Sequence, residues 1–290
     1  MANRATRTAL GPMVIVAVEQ NFPQGQGLIQ DDLAYRFLPL GMKVLVKLTR
    51  FSPIRELLIW SSERRAPGVW AGIACRKRYI DDKLDEALGG GFGTVVNLGA
   101  GLDTRAYRLP KPSTVAFFEV DLPENIEYKR RVLERVYEKV PDHVTLVPID
   151  FDHQDLEGVL TSHGYQTQQK SFFIWEAVTQ YLTEEGIRKV LGFLAKASPG
   201  SRLVFTYIRK DFIDGVVGYG SEALYQAFRV KEQLWRFGIV PEEVKDFLGE
   251  YAWKELEQMG SQEFTAQYVQ PSGRALPISE IERAVYAQKM

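Results

Sequence analysis

Gly99, Asp121, Asp150 and Glu176 each follow a short apolar run, and together they are residue types that can hold a nucleoside. Thr94-Val95-Val96-Asn97-Leu98 leads into Gly99, Val115 to Val120 into Asp121, Val144 to Ile149 into Asp150, and Phe172 to Trp175 into Glu176. Gly99 and Gly101, on either side of Ala100, carry no Cβ, so the backbone can approach a ligand closely. Asp121 stands twenty residues beyond Gly101. A carboxylate at that distance reaches the next strand end and can accept both hydroxyls of a ribose. The plainer role for Asp121 is a helix N-cap ahead of Pro123. The turn is not the dinucleotide fingerprint, which needs glycine where Thr104 stands, and it is not a P-loop, since no Gly-Lys-Ser/Thr follows.

The elements that must position these residues read as an α/β fold. Near-continuous apolar strands, with a fifth at Leu203 to Ile208, alternate with helical stretches at Glu124 to Val140 and Glu184 to Ala197. That alternation indicates a parallel sheet covered on both faces, with ligands bound beyond the strand C-termini. Residues 1–90 read as a helical N-terminal lid with breaks at Pro23, Pro39, Pro53 and Pro67, closing on a helix that Gly89-Gly90-Gly91 stops. Residues 91–208 form the binding core. Residues 209–240 read as an aromatic-rich helical cap, packed on the sheet or closing over a substrate. Residues 241–290 add a helix from Pro241 to Tyr251 and two strands, Trp253 to Met259 and Ile281 to Gln288. The whole 1–290 is expected to be one domain.

A ribose-bearing ligand without a pyrophosphate fits the glycine turn, and a cation suits the surrounding carboxylates. S-adenosylmethionine (SAM) has both properties. At this point the chain resembles the leucine carboxyl methyltransferase-like family, including its bacterial branch of SAM-dependent O-methyltransferases. The resemblance rests on Arg76-Lys77-Arg78-Tyr79-Ile80-Asp81-Asp82, on Val96 to Arg105, and on Phe118-Glu119-Val120-Asp121-Leu122-Pro123. It continues through Trp175 to Leu182 and Glu280 to Val285. It implies a Rossmann-like class I SAM-dependent methyltransferase fold with a mostly parallel seven-stranded sheet. It further implies that Arg76 holds the SAM carboxylate and that Gly99, Ala100 and Gly101 face the methionine part. Asp121 would bind the ribose, Asp150 and Phe151 the adenine, and Glu176 would sit near the ammonium. Gln180 stands where some branches carry a small or aliphatic residue. Arg7 is a candidate for the family's basic lid residue.

Methyl transfer from a sulfonium needs an aligned oxygen and the exclusion of water. A carboxylate acceptor is ionised at neutral pH, whereas a phenol, with pKa about 10, is helped by a base. No base stands out, which tilts the expectation towards a carboxylate on a small molecule such as a polyketide-like or aromatic acid. A protein C-terminal carboxylate, a phenol, or SAM binding without catalysis remain alternatives. Arg209 could fork onto an acceptor carboxylate; Tyr181, Tyr207 and Arg274 are further acceptor candidates.

Bulk properties exclude other classes. Lys+Arg number 36 against 37 Asp+Glu, a net charge of −1, which argues against nucleic acid or an anionic membrane as partner. Cys75 is the one cysteine, so an internal disulfide or cysteine-based metal site cannot form. His143, His153 and His163 sit ten apart, a spacing that builds no local ligand pair, and no metal is expected. The basic start and apolar Ala9 to Val18 faintly resemble a signal peptide, but Gly11 and Pro12 interrupt the run, and a cytoplasmic location is expected.

Overall fold

The computed structural model describes residues 4–109, 114–151 and 153–290, with side chains from residue 9 onward, so Arg7 lies outside the described side chains. Seven strands form one sheet: β1 Thr94–Leu98, β2 Ala116–Asp121, β3 Val144–Pro148, β4 Ser171–Trp175, β5 Arg202–Ile208, β6 Trp253–Met259 and β7 Glu282–Lys289. Their order across the sheet is β3-β2-β1-β4-β5-β7-β6. β1 to β5 pair in parallel, while β7 inserts antiparallel between β5 and β6. The reversal between β1 and its neighbours β2 and β4 is the topological switch at which open sheets bind ligands.

Strand alternation divides the core into two. Val95, Phe117, Phe172, Ile174 and Val204 face a core shared with the helices Arg4–Glu19, Val69–Gly89 and Pro123–Tyr137. Val96, Leu98, Phe173, Trp175 and Phe205 face the other, with Leu156–Ser162 and Glu184–Leu194. Adjacent strand residues point to opposite faces, so strands that are apolar throughout can only be covered on both sides.

The N-terminal region is helical, with Ala34–Phe37, Leu40–Leu48 and Ser52–Arg65 between the two long helices. Pro39 and Pro53 mark helix starts, where their missing N–H costs nothing. The apolar stretch from Ala9 belongs to the helix Arg4–Glu19, which continues through Pro12 and packs into the core. Glu19 at its end is buried. It accepts from the Leu28 amide at 2.8 Å, Trp70 Nε1 at 2.8 Å and Arg274 Nη1 at 2.7 Å.

Two sequence expectations shorten. The helix from Pro241 resolves into a 3-10 turn, Pro241–Glu243, and the helix Val244–Gly249. The segment 209–240 carries only short helical pieces, Lys210–Ile213, Glu222–Tyr225 and a π-turn Gln226–Lys231. An aromatic cluster holds it instead: Phe212 and Trp235 are buried, and Phe228 stacks on Trp235 with ring centroids 5.0 Å apart. Among the described residues no helix is long and apolar enough to cross a membrane.

Candidate active site

A cavity of about 1290 Å³ opens along the C-terminal ends of β1, β2 and β4. Arg76, Gly99, Ala100, Gly101, Asp121, Asp150, Phe151 and Glu176 all line it. The sheet topology therefore brings together every residue that the sequence singled out for the nucleoside end.

The glycine turn is built by contacts to β2. The amides of Gly99 and Ala100 donate to the Val120 carbonyl at 2.7 and 3.0 Å. Gly99 has φ +76°, and a Cβ there would meet Val178 Cγ2 at 2.1 Å, so both backbone and space demand glycine. The Gly101 amide donates to Asp121 Oδ2 at 2.6 Å, fastening the turn to the neighbouring strand end. Thr104, in the place of a dinucleotide glycine, is buried and donates to Asp31 Oδ2 at 2.5 Å.

Asp121 Oδ1 accepts from the Leu122 amide at 2.7 Å and Asn125 Nδ2 at 2.8 Å. Leu122, not Asp121, is the N-cap of the following helix. Burial raises the Asp121 carboxyl above its ordinary range, and the bonds from Asn125, Gly101 and Leu122 offset only part of that. Asp150 is more open and pairs with His153 Nδ1 at 2.9 Å, while Phe151 is buried in the same core as Val120, Val147 and Ile149.

Behind this edge lies an ionic network. Arg105, fully buried, donates from Nε to Asp81 Oδ1 at 2.6 Å, from Nη1 to Asp103 and to Glu176 Oε2 at 2.7 Å, and from Nη2 to the Lys77 carbonyl at 3.1 Å. Glu176 also takes Arg76 Nε at 2.9 Å and Lys77 Nζ at 3.3 Å. Burial alone would push the Glu176 carboxyl up, but Lys77, Arg105 and Arg76 outweigh it and hold it well below its usual value. Arg76 Nη1 reaches Glu282 on β7 at 2.5 Å. Arg76 Nη2 makes no bond among the described residues.

The acceptor candidates divide. Tyr181 lines the cavity from the turn Thr179–Tyr181. Tyr207, Arg209 and Arg274 do not. Tyr207 shares a strand face with Leu203 and Phe205, so it points into the second core and donates to Gln258 Oε1 at 2.5 Å. Arg209 pairs with Asp211 two residues on, at 2.9 Å. Arg274 is occupied by Glu19. Residues that sequence reasoning passed over also line the cavity, among them Arg65, Lys77, Asn97, Asp103, Asn125 and Trp235. Asp103 lies within a motif already singled out, and its two-residue spacing from Arg105 was the signal for a local ion pair.

The strand order, the antiparallel β7 and the glycine turn define a Rossmann-like class I methyltransferase fold. The pattern of the leucine carboxyl methyltransferase family matches residues 9–195, and the chain belongs to that family. A Mycobacterium avium protein provisionally named an S-adenosyl-L-methionine-dependent methyltransferase is 32% identical over 196 residues, which is 67% of this chain and 64% of that protein. A Frankia alni protein of the same provisional name is 32% identical over 200 residues, 69% of this chain and 67% of its own length. The chain thus spans a little under two thirds of the Mycobacterium avium relative. In fold it is similar to a provisionally named methyltransferase from Thermobifida fusca, with TM-score 0.56 and 16% identity, covering 81% of this chain and 88% of that one. It is also similar to a possible exported protein from Bordetella parapertussis, with TM-score 0.52 and 14% identity, covering 99% and 97%.

Proposed function

We propose that this protein is a SAM-dependent O-methyltransferase whose acceptor is the carboxylate of a small molecule, such as a polyketide-like or aromatic acid. The product would be a methyl ester. The observation that carries the reading is one continuous cavity with a nucleoside-type end and an apolar end where the buried Trp235 Nε1–H has no acceptor among the described residues.

The residues present fit SAM. Arg76 Nη2, without a bond among the described residues, would take the SAM carboxylate, and Asp121 keeps lone pairs for the ribose hydroxyls beside its three donors. Asp150 and Phe151, both on the cavity wall, would meet the exocyclic amine and the face of the adenine. Glu176 would stand near the ammonium, although three protein cations already share it. When bound, SAM supplies an electrophilic methyl group on a positively charged sulfur. The chain's own task is to hold an oxygen in line and keep water out.

At the other end, Ile208, Leu224, Phe228, Leu234 and Trp235 supply apolar wall, four of them from segment 209–240. The Trp235 Nε1–H is buried and has no acceptor among the described residues. Arg65 also lines the cavity, with no carboxylate partner among the described residues. Two uncommitted donors suit an anionic oxygen, and a carboxylate requires no base. This wall also disfavours a protein C-terminus, which needs an open groove. One observation favours a phenol as second reading: Glu282 Oε1 is buried on the cavity wall without a donor among the described residues and could accept a phenolic proton.

The test is to incubate the enzyme with SAM and matched aromatic or polyketide-like acids, their esters and phenols, following S-adenosylhomocysteine. Turnover with acids and not with their esters is expected, and mild alkali should hydrolyse the product. Turnover with phenols alone would select the second reading. Failure to bind S-adenosylhomocysteine would reject both.

A further inference from the structure

Among the described residues fourteen large apolar side chains are exposed, and nine of them fall between Tyr35 and Trp60. Leu40 is 80% exposed, Phe51 66%, Leu57 62% and Trp60 55%. Apart from Tyr35, on the helix Ala34–Phe37, they occupy two consecutive helices and the corner between them. On Leu40–Leu48, the exposed Leu40, Val44 and Leu48 recur every fourth residue, while Val46 turns into the core. Phe51 stands at the corner. On Ser52–Arg65, Ile54, Leu57, Trp60 and Arg64 recur every three or four residues and face solvent. At 100° per residue, the adjoining face of that helix carries Leu58, Ser61 and Arg65, which line the cavity. Eight exposed large apolar side chains concentrated on two successive helices and their corner mark a partner surface.

The charges interleaved with it decide which partner. From Tyr35 to Trp60 the chain carries Arg36, Lys43, Lys47 and Arg50 against Glu56, with Arg55 buried beneath and bonded to the Asn21 carbonyl, although the whole chain nets −1. Lys47, Arg50 and Arg36 are exposed, and Arg64 lies over the Trp60 ring at 4.8 Å. Lys43 sits close enough to Arg135 and Arg36 to be affected by both. A second copy docked about a two-fold axis would bring these like charges together. A negatively charged, apolar-centred surface complements them.

We propose that the helices Leu40–Leu48 and Ser52–Arg65 dock the protein on an anionic lipid bilayer, apolar side chains inserted at the headgroup boundary and lysines and arginines against the headgroups. The overall charge hides this face because acidic residues elsewhere cancel it. The inference does not depend on the identity of the methyl acceptor.

The experiment is co-sedimentation of the full chain with phosphatidylcholine vesicles with and without phosphatidylglycerol. Binding should require phosphatidylglycerol and fall as salt is raised. Lys47→Gln with Arg50→Gln should weaken it by about 30-fold, two charges at the membrane surface. Val44→Glu with Leu57→Glu should abolish it, with the far-ultraviolet circular dichroism and S-adenosylhomocysteine affinity of the parent retained. Absence of binding, equal binding to neutral vesicles, or unchanged binding of both double variants would overturn the proposal. So would a dimer in sedimentation velocity that Val44→Glu with Leu57→Glu dissociates.

Discussion

Arg105 Nη1 lies 2.7 Å from Glu176 Oε2, joining side chains 71 residues apart that are both almost wholly buried. The bond ties the turn after β1 to the end of β4. Removing Arg105 leaves Asp81, Asp103 and Glu176 short of their central cation. Arg105→Met should therefore cost about 3–5 kcal/mol of stability in chemical denaturation. Arg105→Lys should recover little, because one ammonium cannot reproduce a planar fork that serves three carboxylates and a carbonyl.

The same network sets the acid limit of stability. Burial would raise the Glu176 and Asp103 carboxyls, but Lys77, Arg105 and Arg76 around the first, and Arg105 and Lys77 around the second, hold both below their ordinary values. A carboxyl lowered in the fold contributes stability that is complete above its unfolded pKa, about 4, and is lost as pH falls through the lower folded value. Asp81 and Glu119 are raised by burial and act in the opposite sense, taking up protons in the fold first. Urea midpoints should thus hold or rise slightly as pH falls towards about 4 and collapse below it. Glu176→Gln should lower the plateau and blunt the collapse. A midpoint that declines steadily from neutral pH would contradict this balance.

Gly99→Ala should destabilise the chain by about 1–3 kcal/mol from backbone strain alone, with the Val178 contact adding to it. Affinity for S-adenosylhomocysteine should fall in parallel. A second substitution, Val178→Ala, relieves the contact and leaves the positive φ, so it should restore only part of the loss. Thermal melts with and without the ligand separate the two contributions.

Asp121→Asn should weaken S-adenosylhomocysteine binding by about 10- to 100-fold, the worth of a charge-assisted hydrogen bond. It also turns an amide NH₂ towards donors from Gly101, Leu122 or Asn125. Burial raises the Asp121 carboxyl, and in the proposed role its ionised form would accept the ribose hydroxyls, so parent affinity should fall as pH drops, starting above the range of a free aspartate. Calorimetry across pH should show that dependence in the parent and a flatter profile in the variant.

Trp235→Phe keeps an aromatic ring in the cluster and removes the unpartnered N–H. Lost packing is offset by loss of a buried, unsatisfied donor, so stability should change by no more than about 1 kcal/mol. KM for the acid should rise about tenfold. An unchanged KM would remove Trp235 from acceptor recognition.

The gathering of the strand-end residues on one cavity edge was legible because its signals are local: an apolar strand followed at once by glycine or a carboxylate. Strand ends of a parallel sheet must converge, so Gly99, Asp121, Asp150 and Glu176 could be gathered without knowing any loop. The acceptor side was not legible for the opposite reason. Arg209, Arg274 and Tyr207 have the right chemistry, but their partners, Asp211, Glu19 and Gln258, depend on packing between distant segments or on a turn geometry that spacing does not specify. Tyr207 is the exception that strand parity could have settled, since it alternates with the cavity-lining Ile208. Likewise the insertion of β7 between β5 and β6 follows from tertiary pairing, and Glu282 comes beside Arg76 only through it.

That pairing bridges side chains 206 positions apart. Contacts so remote along the polypeptide cost more loop-closure entropy than the local ones inside a helix such as Val69–Gly89. A ligand that recognises the finished arrangement offsets that entropy by mass action, so occupancy and global stability should rise together.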